Sequence, residues 1–163
     1  LMEITQETVQ LIVLDIPKIF VLQIVECKQP IRILTHQGRR NPIHCTSSGK
    51  VLLSHQDENT INEYIVKHGL EKYTEKTITD PEKFRACLQE ARELGYAIND
   101  QEFIDGVIGV SAPVYDYTKK VVAAINVVGP VQRINRHKLP KIIKQTIFAA
   151  NQSSKRLGYI GKP

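Results

Sequence analysis

Residues 39–53 read RRNPIHCTSSGKVLL and hold the side chains best suited to chemistry. A histidine and a cysteine stand in succession, followed by three hydroxyl residues, a glycine and a lysine. This composition suits four kinds of site, which are a phosphate loop, a cysteine nucleophile, a metal site and a pocket for a small anion. The spacing of the residues distinguishes among them.

The spacing argues against the first three kinds of site. A phosphate loop requires G-x-x-x-x-G-K-[ST], but His44 stands where the first glycine belongs and Val51 follows the lysine. A nucleophilic cysteine needs a base within reach, and neighbours in an extended segment point to opposite faces, so His44 and Cys45 are not expected to pair. No C-x-x-C or H-x-x-x-H spacing occurs, so we predict no metal and no cofactor, with a site assembled from distant residues as the remaining alternative.

The fourth kind of site concerns the stretch TSSG (46–49), where a loop enters a predicted helix. The first turn of a helix carries unpaired N–H groups and a partial positive charge, so small residues there allow a carboxylate to approach. Ser47 and Ser48 would then add hydroxyl donors. The simpler interpretation is that Thr46 or Ser47 only caps the helix, and on residue chemistry alone it is favoured because capping is so common.

The elements that must position this stretch begin with strands. Residues 8–15 and 18–27 are rich in β-branched side chains and predict an antiparallel hairpin, with a third strand at 31–35 and a loop at 37–42. Two further strands are predicted at 107–116 and 120–129.

Helices are predicted between and after these strands. A short helix starts at Ser47, and 58–69 follows with an apolar face. Residues 80–95 give the clearest helix, with Asp80 as N-cap, Pro81 as first helical residue and Gly95 as terminator. A long helix runs from Leu139 to Leu157. The order of strands and helices predicts an α+β fold, an antiparallel sheet flanked by helices.

Length and composition indicate a single domain spanning 1–163. The longest apolar runs are far shorter than the roughly 20 residues that a bilayer requires, so no membrane contact is predicted. No cleavable signal opens the chain. Three cysteines without paired spacing do not suggest a disulfide framework, and we expect a reducing, cytoplasmic setting.

Charge is unevenly distributed along the chain. Residues 117–163 contain ten Lys/Arg and no Asp/Glu, whereas 57–116 contain 13 Asp/Glu and six Lys/Arg. A basic segment can bind nucleic acid. We favour instead that it faces the acidic segment, within or between subunits, because it has no interleaved aromatic residues and no known binding motif.

Six stretches of the chain resemble, in the same order, a known family. They are ETVQLIVLD, GRRNPIHCTSSGKVLL, TITDPEKFRACLQEARELGYAINDQE, GVIGVSAPVYD, VVAAINVVGP and LGY, and together they cover residues 7–159. The chain is similar to the C-terminal effector-binding domain of the IclR family of bacterial transcriptional regulators. The family's N-terminal winged helix-turn-helix domain would precede Leu1.

The resemblance implies a GAF-like fold with a cup that binds a small organic acid. It also implies dimers or tetramers, and operator DNA bound only through the N-terminal domain. The positions that match the family's effector cup are Ser47, Ser48, Asn99 with Asp100 beside it, Gly109, Asn126 and Val128. Asn126 and Val128 lie two residues apart, so they share one face of a strand.

This chain departs from the family pattern at two places. Gly109 stands where many relatives carry a larger side chain, and Val128 replaces a hydroxyl donor with apolar surface. We therefore expect a ligand larger than a two- or three-carbon acid, with an apolar part.

The predicted function is a non-catalytic effector-binding and oligomerisation domain of a DNA-binding regulator. Two alternatives come from other classes of protein. The first is a thiol-dependent enzyme on a GAF-like scaffold, using Cys45 or Cys87. The second is direct nucleic-acid binding through the basic segment 117–163.

Overall fold

A six-stranded antiparallel sheet forms the centre of the protein. The computed structural model describes residues 1–161, and in it the strands lie in the order β3-β2-β1-β6-β5-β4. The strands are β1 Thr8–Asp15, β2 Lys18–Val25, β3 Arg40–Pro42, β4 Ala97–Asp100, β5 Val107–Tyr115 and β6 Val121–Pro130. The helices are α1 Met2–Thr5, α2 Ser47–Ser54, α3 Glu58–His68, α4 Pro81–Leu94 and α5 Leu139–Arg156. The predicted α+β fold is confirmed.

The helices cover both faces of the sheet. On one face, α2, α3 and α4 pack on Ile12, Ile19 and Ala124 in the largest apolar cluster. On the other face, α5 packs against β5 and β6. Neighbouring residues of a strand therefore contribute to different clusters, as for Ala124 and the adjacent Ile125.

The clearest helix of the sequence forms as its local signals predict. The Asp80 carboxylate accepts a hydrogen bond from the N–H of Lys83 at 2.8 Å, and Pro81 begins the helix. Gly95 ends it at a φ of 71°, a left-handed conformation that favours glycine. None of the helices within residues 1–161 has both the length and the apolar character that crossing a membrane requires.

The prediction of a third strand at 31–35 is wrong. The edge of β2 is occupied instead by the segment that the sequence placed in a loop, because Lys18 to Phe20 pair with β3. Val21 extends this pairing by exchanging hydrogen bonds with Gly38 and Arg39. Residues 31–35 therefore lose the place beside β2 and form no strand, and Ile31 and Leu34 are exposed.

Two elements were not predicted. The short helix α1 precedes β1, and the four-residue strand β4 pairs with β5 at the edge of the sheet. β4 follows directly from the end of α4, so helix and strand form one connected unit. This strand matters for the site because it brings Asn99 opposite Gly109.

Candidate functional site

Strand register brings distant residues together on the face that α2 covers. In one row across the sheet, Asn99 of β4 pairs with Gly109 of β5, which pairs with Val128 of β6. In the adjacent row, one side chain comes from each of β5, β6 and β1, in the order Ser111, Asn126 and Gln10. Because residues two apart share a face, both rows face the same side of the sheet.

The helix α2 lies on these rows and is buried over its whole length. Thr46 is its N-cap, since the Thr46 Oγ1 accepts from the N–H of Gly49 at 3.2 Å and donates to the carbonyl of Pro42 at 2.8 Å. A Cβ atom at Gly49 would collide with the backbone of Ile43, so only glycine permits this close packing. Thr46, and not Ser47, therefore performs the capping.

The two serines of α2 are hydrogen-bonded to the sheet. Ser111 Oγ lies 2.9 Å from Ser47 Oγ and 2.8 Å from Ser48 Oγ. Asn126 Oδ1 accepts from Ser111 Oγ at 3.0 Å and from Ser47 Oγ at 3.2 Å, and Asn126 Nδ2 donates to Gln10 Oε1 at 2.8 Å. The hydroxyl hydrogens of the three serines are thus engaged inside the protein, rather than directed at a ligand as the sequence suggested.

Gly109 leaves room for this network. A Cβ atom at position 109 would lie 2.9 Å from Ser47 Oγ and 3.3 Å from Asn126 Oδ1. Any side chain there would force the hydroxyl of Ser47 to move. The small residue is therefore required by the contact between α2 and the sheet as well as by the size of the cup.

A cavity of about 80 Å³ lies beside the start of α2. Its polar lining consists of Gln10, Thr35, Arg39, Asn41, Thr46, Ser47, Ser48, Asn99 and Asn126, and Gly109 adds backbone. Its apolar lining consists of Ile12, Ile19, Ile33, Leu34, Phe103, Ile104, Val107 and Val128. The cavity therefore suits a small molecule with both polar and apolar parts.

Two backbone donors are available at the polar end of the cavity. Within residues 1–161, the N–H groups of Ser47 and Ser48 donate to no other protein group. They belong to the first turn of α2, where N–H groups have no partner inside the helix and the helix dipole is positive. Unpaired N–H groups of this kind are suited to bind an anion.

Of the seven residues matched to the effector cup, six line this cavity. The seventh, Asp100, does not. Its carboxylate is half exposed and forms an ion pair with Lys76 at 3.0 Å. A hydrogen bond from Gln101, and then Lys76, hold the pKa of Asp100 below its usual range. Alternation along β4 explains the difference, because Asp100 and the adjacent Asn99 point to opposite sides.

Asn99 also shapes the loop that follows it. Its Oδ1 accepts from the N–H of Glu102 at 2.8 Å, and the Glu102 side chain forms a buried ion pair with Lys50 of α2 at 2.6 Å. Lys50 Nζ also donates to the carbonyl of Ile98 at 2.6 Å. These bonds tie α2 to the segment that contributes Phe103 to the cavity.

Sequence reasoning missed most of the cavity lining, and four of the missed polar residues carry the argument. Ser111 organises the hydroxyl network, and the other three line the cavity, namely Gln10, Thr35 and Arg39. Thr35 and Arg39 lie in segments predicted as a strand and a loop, and no local pattern marks them. Alternation offered a signal for Ser111, since it lies two residues from Gly109 on the same strand.

The side chains of Cys45, Cys87 and His44 are held in the protein interior or by hydrogen bonds, and none is placed as a catalytic group. Burial raises the pKa of Cys45 to about 12, far from the value of a reactive thiolate, and burial also raises the pKa of Cys87. His44 Nδ1 lies 3.3 Å from the Tyr64 hydroxyl, and His44 Nε2 lies 2.8 Å from the Glu71 carbonyl. In the part of the chain described, no group of three or more His, Cys, Asp or Glu is placed to hold a metal ion.

Comparison with known proteins assigns the family. The family model described as "Bacterial transcriptional regulator IclR C-terminal" matches residues 1–155. The chain belongs to the IclR family. It corresponds to the C-terminal domain of these regulators, and the resemblance seen in the sequence is confirmed.

Individual members of the IclR family agree with this assignment. The Pca regulon regulatory protein of Pseudomonas putida is 36% identical over 115 residues, which is 71% of this chain and 40% of that protein. The HTH-type transcriptional regulator KdgR of Escherichia coli (strain K12) is 29% identical over 163 residues, which is 100% of this chain and 62% of that protein. The chain thus spans less than two thirds of the length of either relative.

One similar solved structure is the complex of a regulator domain with a small acid. It is the inducer binding domain of a double mutant of PobR from Acinetobacter, in complex with 3-hydroxybenzoic acid. It has a TM-score of 0.86 and 30% identity, and the alignment covers 94% of this chain and 90% of that one. Relatives named as regulators give no support to the alternative of a thiol-dependent enzyme.

The buried ion pair generates a prediction about stability. Lys50 is 2% exposed, so Lys50→Met leaves the Glu102 carboxylate buried without a counter-charge. We expect the free energy of unfolding to fall by about 3–5 kcal/mol, measured by urea denaturation.

Two control variants make this prediction specific. The double variant Lys50→Met/Glu102→Gln should lose less than Lys50→Met alone, because it removes both charges. Lys67→Met breaks an exposed pair with Glu63 and should leave the free energy of unfolding nearly unchanged. Equal losses for Lys50→Met and Lys67→Met would show that the buried pair has no special weight.

Proposed function

We propose that this chain is the effector-binding and oligomerisation domain of a bacterial DNA-binding transcriptional regulator, and that its cavity binds a small carboxylate-bearing metabolite. The observation that carries the proposal is the cavity at the start of α2, where the N–H groups of Ser47 and Ser48 have no protein partner. The PobR inducer binding domain, in complex with 3-hydroxybenzoic acid, supports the same assignment by analogy.

A carboxylate at this position would accept hydrogen bonds from both N–H groups. Hydrogen bonds to a charged group contribute roughly 1.5–3 kcal/mol each, and they add to the favourable charge of the helix start. Asn126 contributes from the sheet by fixing the hydroxyls beneath these donors. Ser47 and Ser48 act in this proposal chiefly through their backbone, and their side chains hold the helix end in place.

The volume of the cavity and its apolar lining limit the size and the apolar part of the ligand. At about 10–15 Å³ for each water, a cavity of about 80 Å³ holds roughly six waters or an organic molecule of similar size. Val128 and Ile12 present apolar surface opposite the polar end. These features support an acid with an apolar part, larger than a two- or three-carbon acid.

The effector would act by shifting a population of subunit arrangements. A ligand favours the arrangement that it binds more tightly, and coupling energies between two sites are typically about 1–3 kcal/mol. In this protein the ligand would contact both α2 and the loop after β4, which the ion pair between Lys50 and Glu102 joins. Binding would therefore fix α2 and this loop relative to each other.

DNA recognition is assigned in this proposal to the N-terminal domain of the full-length regulator. The basic segment 117–163 would face other subunits. A cytoplasmic location follows from this role at DNA.

Filling the cavity should abolish effector binding. Val128 is 8% exposed and lines the cavity, so Val128→Phe places an aromatic ring in the space that the ligand needs. The domain should still fold, because the ring enters an open cavity rather than packed core. We expect the affinity for the best acid from a thermal-shift screen to fall by at least about tenfold, measured by calorimetry.

The control is the same substitution on the same strand outside the cavity. Val122 is 41% exposed and does not line the cavity, so Val122→Phe should bind the acid as the parent does. Equal affinities for Val128→Phe and the parent would place the effector elsewhere.

The chain should also self-associate. The one ion pair that the basic segment 117–161 forms within the described residues joins Arg133 to Glu7, so its other cations are available to pair with acidic side chains of a neighbouring subunit. Light scattering at micromolar concentration should show a mass of at least twice 18.5 kDa. A mass of 18.5 kDa alone would contradict the proposed dimer or tetramer.

A further inference from the structure

Arg39 is the charged residue of the cavity. Every other residue that lines the cavity is apolar or carries a neutral polar side chain. Arg39 lies in the loop before β3 and is half-buried. The electrostatic character of the cavity therefore depends on this one cation and on the start of α2.

The guanidinium of Arg39 has no counter-charge. Its Nε donates to Asn41 Oδ1 at 3.1 Å, which orients the group. Within residues 1–161, its two terminal nitrogens make no hydrogen bond and no carboxylate lies within 4.0 Å. The adjacent Arg40, by contrast, forms an ion pair with Asp15 at 2.6 Å on the surface. The terminal nitrogens of Arg39 are thus available for a bidentate bond to an external carboxylate.

Arg39 and the start of α2 approach the cavity from different strands. The Arg39 carbonyl accepts from the N–H of Val21 on β2, whereas Ser47 at the start of α2 donates to Asn126 of β6. In the strand order, β2 and β1 lie between β3 and β6. The cavity therefore has two separate groups that can each bind an anion.

Apolar side chains lie on the strands between these two groups. Ile12 of β1 and Ile19 of β2 both line the cavity, and their strands lie between β6 and β3. Thr35, which also lines the cavity, has a buried hydroxyl without a hydrogen-bond partner among residues 1–161. The lining therefore combines two anion-binding groups, an apolar surface and one free hydroxyl donor.

We propose that the effector is a linear dicarboxylic acid. One carboxylate is bound by the N–H groups of Ser47 and Ser48, the apolar chain crosses Ile12 and Ile19, and the second carboxylate is bound by Arg39. Thr35 Oγ1 donates to the second carboxylate. This inference rests on the proposed function of the cavity, and it makes Arg39 the residue that distinguishes dicarboxylates from monocarboxylates.

The test compares matched pairs of acids on the 163-residue chain. The dicarboxylates are succinate, glutarate, adipate and pimelate, and each is compared with the monocarboxylate of equal chain length by thermal shift and calorimetry. We expect at least one dicarboxylate to bind about ten- to a hundredfold more tightly than its partner, the range of one charge-assisted bond. Arg39→Gln should weaken the dicarboxylate more than the monocarboxylate and so remove this difference, whereas Arg40→Gln should retain it.

The outcomes separate this inference from the proposed function. Equal affinities within every pair, or a difference that survives in Arg39→Gln, would overturn the dicarboxylate inference. In either case, loss of binding of both acids in Val128→Phe would still support the cavity as the effector site. Binding that is unaffected by Val128→Phe would overturn both. Absence of binding by every acid of the series would overturn the dicarboxylate inference.

Discussion

The hydrogen bonds between α2 and the sheet are the contact on which the site depends. The Ser111 hydroxyl is hydrogen-bonded to the hydroxyls of Ser47 and Ser48, the two serines of α2. The hydrogen bond from Asn126 to Gln10 fixes the orientation of the Asn126 amide. Because these polar groups are buried, leaving any of them unpaired would cost roughly 1–3 kcal/mol. The network therefore holds the first turn of α2 at one position beside the cavity.

The rest of the structure follows from that position. Gly109 must lack a side chain because the Ser47 hydroxyl occupies the space, and Thr46 caps the helix so that the serines remain available to the sheet. Further along α2, the pair between Lys50 and Glu102 joins the helix to the loop that closes the cavity. A ligand that binds at one end of this helix would thus be linked mechanically to the loop and to α4, which packs against α2.

Local signals predicted those elements that local interactions determine. Asp80, Pro81 and Gly95 define α4 by themselves, and the junction at TSSG (46–49) was located correctly. Residues 31–35 have the β propensity of a strand, but β2 pairs with β3 instead. Propensity does not reveal which segment a strand pairs with, because that depends on contacts distant in sequence. Arg39 illustrates the same limit, since only the pairing of its loop with the edge of β2 brings this residue to the cavity.

The most direct test of this account is a crystal structure of the chain with the tightest-binding acid. The account predicts a carboxylate oxygen within about 3 Å of the backbone nitrogens of Ser47 and Ser48, with the serine hydroxyls still bonded to Ser111. A ligand bound outside the cavity, or one whose carboxylate avoids the start of α2, would contradict the central claim.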